Sequence, residues 1–318
     1  MDVACIGILV ADIFASPIDS LPNEGELKPT DRFWMSVGGC AANTAVDLRR
    51  LNRSVAVMGK IGTDMFGDFV VDELKRHCIE TSHVKRSPSL PTSSTVIINV
   101  RGQDRRYIHC IGANAEFRLA DVDFSWVEKC RVLYVGGYLA TPGMPASDLR
   151  NLFQAAKEKS LTTVLDVVIP AGAQVSMAQM APVLPYTDYF LPNEDEARVL
   201  TGERDVAEQL KCLALLNPCC TVVITRGEHG SLAKCGGVLM DTAPFPVDSM
   251  DESGAGDAFA AGFITGLLEN WPLDYILCFA SAVGASCTRA LGCHDGVSRF
   301  DEAQQMVSER ARYARKTG

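Results

Sequence analysis

Several familiar signatures are missing from this chain, and each absence closes off a class of function. No stretch reaches membrane-spanning length without a charge, so a transmembrane helix is not expected. The twelve cysteines include no Cys-x-x-Cys pair. Many lie inside apolar runs, as Cys5 and Cys278 do, so they read as reduced core thiols of a cytosolic (cytoplasmic) protein rather than as disulfides or zinc ligands. A Walker A loop needs Gly-Lys followed by Ser or Thr, and the only Gly-Lys pair, Gly59-Lys60, is followed by Ile61. No Gly-x-Gly-x-x-Gly follows the first apolar run, which removes support for a dinucleotide site. Net positive charge is lacking too. With 30 Lys and Arg against 39 Asp and Glu, the net charge of -9 argues against nucleic acid or an anionic membrane as the main partner. Low-complexity tracts and internal repeats are absent, and only the basic tail at 310–316 is expected to be disordered.

What is present is enough apolar material, 47% of 318 residues, to bury a sizeable core. The first apolar run, Val3–Ala11, is short, lacks a basic lead-in and runs into Asp12, so it reads as a buried strand rather than a signal peptide. The Asn52-Arg53-Ser54 sequon carries no meaning without secretion. Gly38-Gly39 opens a helical pattern through Leu51, a short buried strand spans Val55–Gly59, and Met65–His77 is an amphipathic helix. Two extended runs, Ser94–Val100 and Arg106–Ile111, flank the turn Gly102-Gln103-Asp104. Beyond residue 130, strands at Val132–Val135, Thr162–Val168, Asp188–Leu191 and Val222–Thr225 alternate with helices near 146–160, 174–181 and 194–215. An edge hairpin (Ser231–Lys234, Val238–Met240) and helices at Ala255–Glu269, Leu273–Leu291 and Asp301–Arg312 complete the pattern. That rhythm predicts an α/β fold with a mainly parallel central sheet flanked by helices. Ligands of such sheets bind at the carboxyl ends of the strands, where Asp12, Asp166, Asn193 and Thr225 are expected.

The most informative run is Asp251-Glu252-Ser253-Gly254-Ala255-Gly256-Asp257-Ala258-Phe259. Its Gly-Ala-Gly turn opens an apolar helix, where bare N–H groups and the helix dipole together favour an anion. An aspartate directly after such a cradle makes sense when the anion is a phosphoryl group in transit and the aspartate faces its acceptor. At a helix N-terminus its pKa should be lowered. A helix cap alone would require neither glycine. Asn193 and Glu196, spaced i, i+3, share one helix face, which suits either a solvated helix start or a nucleotide-bound metal.

The run resembles the C-terminal signature of the ribokinase-like, or PfkB, carbohydrate kinases. Gly38-Gly39-Cys40-Ala41-Ala42-Asn43-Thr44-Ala45 resembles the N-terminal signature, Asn193-Glu194-Asp195-Glu196 the Asn-x-x-Glu motif, and Thr225-Arg226-Gly227-Glu228-His229-Gly230 the nucleotide-side motif. All occur in the family's order, so the resemblance covers nearly the whole chain. It implies a single kinase domain over 1–318, with a small β lid from roughly 13–36 and 92–114. It implies Asp257 as base, Gly254, Ala255 and Gly256 as the phosphoryl cradle, and Asp12, Gly38, Gly39, Asn43 and Asn114 as acceptor contacts. ATP would meet Asn193, Thr225, Gly227, Gly230 and Ser281. Magnesium would sit near Glu196, directly or through water, and a monovalent cation, K+, near Asp251.

The chain departs from the family at Glu252, where threonine is common, and at Val168 and Pro170, where Asn and Arg are common. The first change leaves the cation site open; the second removes a cationic phosphate contact. His109 reads as a packed lid residue and Arg105 and Arg106 as a solvated turn. The expectation is an ATP- and magnesium-dependent kinase acting on a hydroxyl of a small non-phosphorylated sugar or sugar acid. A nucleoside kinase is the close alternative, with Phe14, Phe33, Trp34 and Tyr107 available to stack a base. A non-catalytic sugar- or nucleotide-binding regulator is the third. The resemblance also allows a homodimer through the lid.

Overall fold

The structure, a computed structural model, describes residues 1–103 and 106–317, with side chains described as far as Arg310. Asp104 and Arg105, at the expected turn, lie outside the described residues. In chain order the strands are β1 (Val3–Gly7), β2 (Val10–Ala15), β3 (Phe33–Gly38), β4 (Val55–Met58), β5 (Lys60–Ile61), β6 (Lys85–Arg86), β7 (Ser94–Ile98), β8 (Arg106–Cys110), β9 (Val132–Gly136), β10 (Thr162–Leu165), β11 (Tyr189–Phe190), β12 (Thr221–Thr225), β13 (Ser231–Cys235) and β14 (Val238–Thr242). The α-helices are α1 (Cys40–Arg50), α2 (Met65–Arg76), α3 (Phe124–Val127), α4 (Ala146–Glu158), α5 (Met177–Met180), α6 (Glu194–Thr201), α7 (Val206–Leu216), α8 (Ala255–Leu268), α9 (Leu273–Cys287) and α10 (Phe300–Thr317).

An eight-stranded sheet in the order β14-β13-β12-β11-β10-β9-β1-β4 forms the centre. From β12 through β4 every pairing is parallel, and β13 pairs antiparallel with both β12 and β14 at the edge. The central strands are apolar on both faces because both faces are covered. Val3 and Cys5 of β1, and Val132 and Tyr134 of β9, join the core under α1, α8 and α9. Their neighbours Ala4, Ile6, Leu133 and Val135 join the opposite core with α4, α6 and α7. Helices α8 and α9 approach closely through small residues. A Cβ on Gly262 would lie 2.8 Å from the Ala280 Cα, and one on Gly266 would lie 2.7 Å from Ile276 Cγ1.

A second, four-stranded sheet runs β3-β2-β7-β8. It corrects the reading of Val3–Ala11 as one strand. The chain leaves the central sheet after Gly7 and enters the second sheet at Val10. The unbroken apolar run hides this break, which Gly7 permits: its φ is 143°, and a Cβ there would strike the Gly136 carbonyl oxygen at 2.0 Å. Asp12 therefore sits within β2, opposite Ser36 of β3 and Thr95 of β7, not at the end of a central strand. Two further differences concern helices. The helix expected over 194–215 ends at Gly202, which caps α6 with left-handed backbone, and resumes as α7. The tail expected to be disordered continues α10 as helical backbone to Thr317.

Both connections into the second sheet are pinned by side chains. Asn114 accepts from the Leu9 N–H at 3.1 Å and donates to the Leu9 carbonyl at 3.0 Å. Asp64, the N-cap of α2, accepts from the Thr92 N–H at 2.7 Å and the Thr92 hydroxyl at 2.6 Å. Arg106 is exposed and donates to Gln103 at 2.7 Å, and His109 shares a 3.1 Å hydrogen bond with the Thr95 hydroxyl.

Candidate active site

The N-terminus of α8 is the centre of the site. Gly254 is its N-cap with φ 76°, a left-handed backbone that leaves no room for a side chain: a Cβ would lie 2.8 Å from Cys293 Cβ. Gly256, two residues on, faces open space. Asp257 follows in the first turn, and Asn43 of α1 donates from Nδ2 to its Oδ2 at 2.8 Å. The Thr44 hydroxyl reaches the Asp257 carbonyl at 3.4 Å.

The expectation of a lowered Asp257 pKa is overturned. Burial of the carboxyl raises it, and the hydrogen bonds from Asn43 and Cys40 and the charge of His294 only partly offset that. Desolvation outweighs the helix N-terminus here because the half-buried carboxylate lies against Asn43 and Cys40 of α1 rather than in bulk water. The consequence is a better base than a solvated aspartate.

Asp257 opens onto a cleft of about 150 Å³ at the carboxyl ends of β10, β11 and β12. Asp166 follows β10, Asn193 and Glu196 follow β11, and Thr225 ends β12, with Gly254, Gly256 and Cys40 opposite. Topology thus delivers residues scattered over most of the chain to one place. The Cys40 sulfur and the carboxylate oxygens of Asp166 and Asp257 lie within 4.8 Å of one another. Asp166 is raised well above its ordinary value by burial and by the charges of Glu196 and Asp257. Glu196 is pushed up to about 7 by burial and by Asp257, although the Asn193 N–H works the other way. Among the described residues, no Lys, Arg or His lines this cleft. Clustered carboxylates without a cationic partner fit a divalent, oxygen-seeking cation such as Mg2+.

Asn193 and Glu196 also form a reciprocal cap. Asn193 Oδ1 accepts from the Glu196 N–H and Glu196 Oε2 accepts from the Asn193 N–H, each at 2.9 Å. The helix-start and cleft roles coexist, because the cap aims the Glu196 carboxyl at the strand ends.

On the other side of Asp257 the second sheet supplies Asp12. It is buried, its carboxylate lies against Gly38 (a Cβ there would sit 2.0 Å from Oδ2), and burial pushes its pKa up to about 6. Gly39 is the N-cap of α1. The Oδ1 of Asn43 is buried without a hydrogen-bond partner, which leaves an acceptor for a ligand hydroxyl next to the base. On the same face of β2 as Asp12, Phe14 stacks on Trp34 at 5.1 Å between ring centroids, and Arg32 lies over the Trp34 ring at 5.5 Å.

Other expected residues are placed differently. Asn114 is 1% exposed and its amide is committed to Leu9, so it anchors the crossover instead of presenting to a ligand. Asp251 is also buried; its oxygens accept from the N–H groups of Ser253 at 2.8 Å and Gly292 at 2.9 Å, tying the loop before α8 to the loop after α9. Gly230 packs against β14, where a Cβ would meet the Thr242 carbonyl oxygen at 2.0 Å; Gly227 lies in the exposed turn after Thr225. Ser281 is buried in α9 with an unpartnered hydroxyl and does not line the cleft.

Sequence reasoning missed Cys40, Tyr134, Asp47 and His294. Cys40 was grouped with the core thiols, although its place directly after Gly39 at a helix start was a usable signal. Tyr134 donates toward Asp166 at 3.4 Å and accepts from Thr44 at 3.2 Å, and nothing in a buried apolar strand announces that role.

Comparison with known proteins agrees with this geometry. The 5-dehydro-2-deoxygluconokinase of Clostridium beijerinckii is 25% identical over 330 residues, covering 97% of this chain and 93% of its own length. The adenosine kinase of Schizosaccharomyces pombe is 28% identical over 277 residues, covering 81% of each. A solved Arabidopsis thaliana ribokinase, complexed with ribose and ATP, superposes with a TM-score of 0.81 at 22% identity, covering 96% of this chain and 98% of that one. The model of the pfkB family carbohydrate kinases matches residues 1–299, and the chain belongs to that family.

Proposed function

We propose that the protein transfers the γ-phosphate of ATP, with Mg2+, to a hydroxyl of a small non-phosphorylated sugar or sugar acid. The observation that carries this reading is the Asp257 carboxylate: half-buried, raised in pKa, held by Asn43, and set between an open glycine turn and a cleft of further carboxylates.

In this reading Asp12 and the free Oδ1 of Asn43 accept hydrogen bonds from the acceptor's hydroxyls and orient one of them toward Asp257. As that oxygen bonds to phosphorus, its proton passes to the Asp257 carboxylate, and the electron pair of the breaking bond leaves with ADP. A base so placed contributes about 10²–10⁴ in rate. The N–H groups of the turn at Gly254, Ala255 and Gly256 stabilise charge on the transferring phosphoryl group. Asp166 and Glu196 would hold Mg2+, which supplies charge neutralisation on the phosphates when bound. Thr225, Asn193, the Gly227–Gly230 turn and Ser281 are assigned to the nucleotide side, and Asp251 to a monovalent cation.

The second sheet acts as a lid that keeps water from competing with the acceptor, within a single kinase domain. A cytoplasmic location and a homodimer formed through the lid complete the proposal. Among the described residues no helix is long and apolar enough to cross a membrane.

A nucleoside acceptor is the second reading, favoured by the half-buried Trp34 on Asp12's face of the lid, which stacks on the fully buried Phe14. The test is a panel of sugars, sugar acids and nucleosides with Mg2+ and ATP, read by ADP release and by the phosphate ester formed. Ester formation on a sugar or sugar acid is expected. Transfer confined to nucleosides establishes the second reading, and tight sugar binding without transfer to any acceptor establishes a regulator instead.

A further inference from the structure

Beneath the acceptor side lies a buried pair that no motif includes. Asp47, on α1, is 0% exposed, and His294, in the loop between α9 and α10, is 6% exposed. His294 Nδ1 is 3.3 Å from Asp47 Oδ1, and Nε2 is 3.1 Å from the carbonyl oxygen of Val37 on β3. A carboxylate and a carbonyl can only accept. While Asp47 is ionised, each ring nitrogen must therefore carry a proton, and only the imidazolium satisfies both partners. Either neutral tautomer would turn a nitrogen lone pair against an acceptor.

The pair sits where the halves of the acceptor pocket join. Val37 lies between Ser36, the cross-strand partner of Asp12, and Gly38, against which the Asp12 carboxylate packs. Asp47 stands one helical turn after Asn43, the donor to Asp257. The preceding residue, Cys293, packs on Gly254, and the His294 carbonyl accepts from Arg50. One side chain thus links β3, α1 and the loop that supports the phosphoryl turn.

We propose that His294 is a positioning residue for the acceptor: as an imidazolium it clamps β3 to α1 and so fixes the spacing of Asp12 and Asn43. The proposal rests on the kinase reading above. The groups facing it are Asp47 and Arg50 from α1, Asp257 from α8, Asp12 from β2, and His77 after α2, its ring centroid 6.5 Å away. The three carboxylates favour the charged ring; Arg50 and a protonated His77 oppose it. Burial works against the proton on His294, but the Asp47 carboxylate and the Val37 carbonyl outweigh burial and raise its pKa. Burial pushes Asp47 up to about 6. The full ion pair therefore exists from about pH 6 upward. It is lost as pH rises through the raised pKa of His294, because a group bound more tightly to its proton in the fold gives up that stabilisation on the alkaline side.

Nitrogen-resolved NMR of the wild-type ring tests the clamp directly. Both His294 nitrogens should be protonated at neutral pH, and a neutral tautomer there overturns the proposal. In kinetics, His294→Gln should raise the acceptor KM roughly three- to tenfold and leave the KM for ATP near wild type. Equal rises in both, or no rise in a folded variant, overturn it. The wild-type acceptor KM should rise at alkaline pH. Asp47→Asn should remove that rise, because the new amide can donate to a neutral ring nitrogen while the other nitrogen keeps Val37; an unchanged alkaline rise contradicts the clamp. A wild type that phosphorylates no acceptor overturns the kinase reading instead, and the ring protonation still decides whether the clamp exists.

Discussion

The two sides of the site are built from different materials. The phosphoryl side is mostly backbone: a left-handed Gly254, an unobstructed Gly256 and the first N–H groups of α8. The acceptor side is mostly side chains drawn from distant segments, with Asp12 from β2, Asn43 and Asp47 from α1, and His294 from beyond α9. A backbone site is fixed by one local turn. A side-chain site exists only once the second sheet, α1 and the 292–296 loop have packed together. The first should therefore fail through local crowding, and the second through loss of relative position.

Asp257 is where the two sides meet, and its removal should have the largest effect. Asp257→Asn should lower kcat by about 10²–10⁴ while ATP still binds, since the amide keeps the shape but cannot take the proton. Calorimetry alongside turnover checks this; equal loss of binding and turnover would mean that the side chain is structural. The glycines sharpen the contrast. Gly254→Ala combines positive φ with a contact at 2.8 Å and should cost about 1–3 kcal/mol of stability, seen as a lower Tm. Gly256→Ala meets nothing, so its Tm should hold, while a methyl group intruding on the cradle should slow turnover about tenfold. A fully active Gly256→Ala enzyme would move the phosphoryl group away from this turn.

The smallest effect expected is a pH effect on the acceptor side. Asp12 must be ionised to accept two hydroxyls, and burial has pushed it up to about 6, so the acceptor KM should rise as pH falls through that value. Because the folded pKa is raised, the stabilising contribution of Asp12 is present below its ordinary range and lost as pH rises through about 6. The free enzyme thus gives up a little stability over the interval in which it gains acceptor affinity. Kinetics of Asp12→Asn should lack the acid-side rise, and a rise that survives the substitution would assign it to another group.

This contrast also explains what the sequence made legible. The parallel sheet, the edge hairpin and the α8 turn could be read because alternation and glycine spacing are local patterns. Asp166, Asn193 and Thr225 were found because strand ends point to ligands. The break after Gly7 was hidden, since apolar residues continue through it into a different sheet. The bonds that tie Asn114 to Leu9 and Asp251 to Gly292 were not legible, because hydrogen bonds to a distant backbone leave no trace in spacing. His294 and Asp47 stand 247 positions apart, and only the packed fold reveals them as partners. The Asp257 pKa went the wrong way for the same reason: the helix N-terminus is local information, whereas burial is not.

The central claim is that both sides act through one carboxylate, with Asn43 working by holding Asp257 at 2.8 Å. A double-mutant cycle of Asn43→Ala and Asp257→Asn, measured as kcat/KM for the acceptor, tests it most directly. The account predicts strong non-additivity, with the double variant no slower than Asp257→Asn alone. Two effects that simply multiply would show that Asn43 and Asp257 act independently, and would contradict the account.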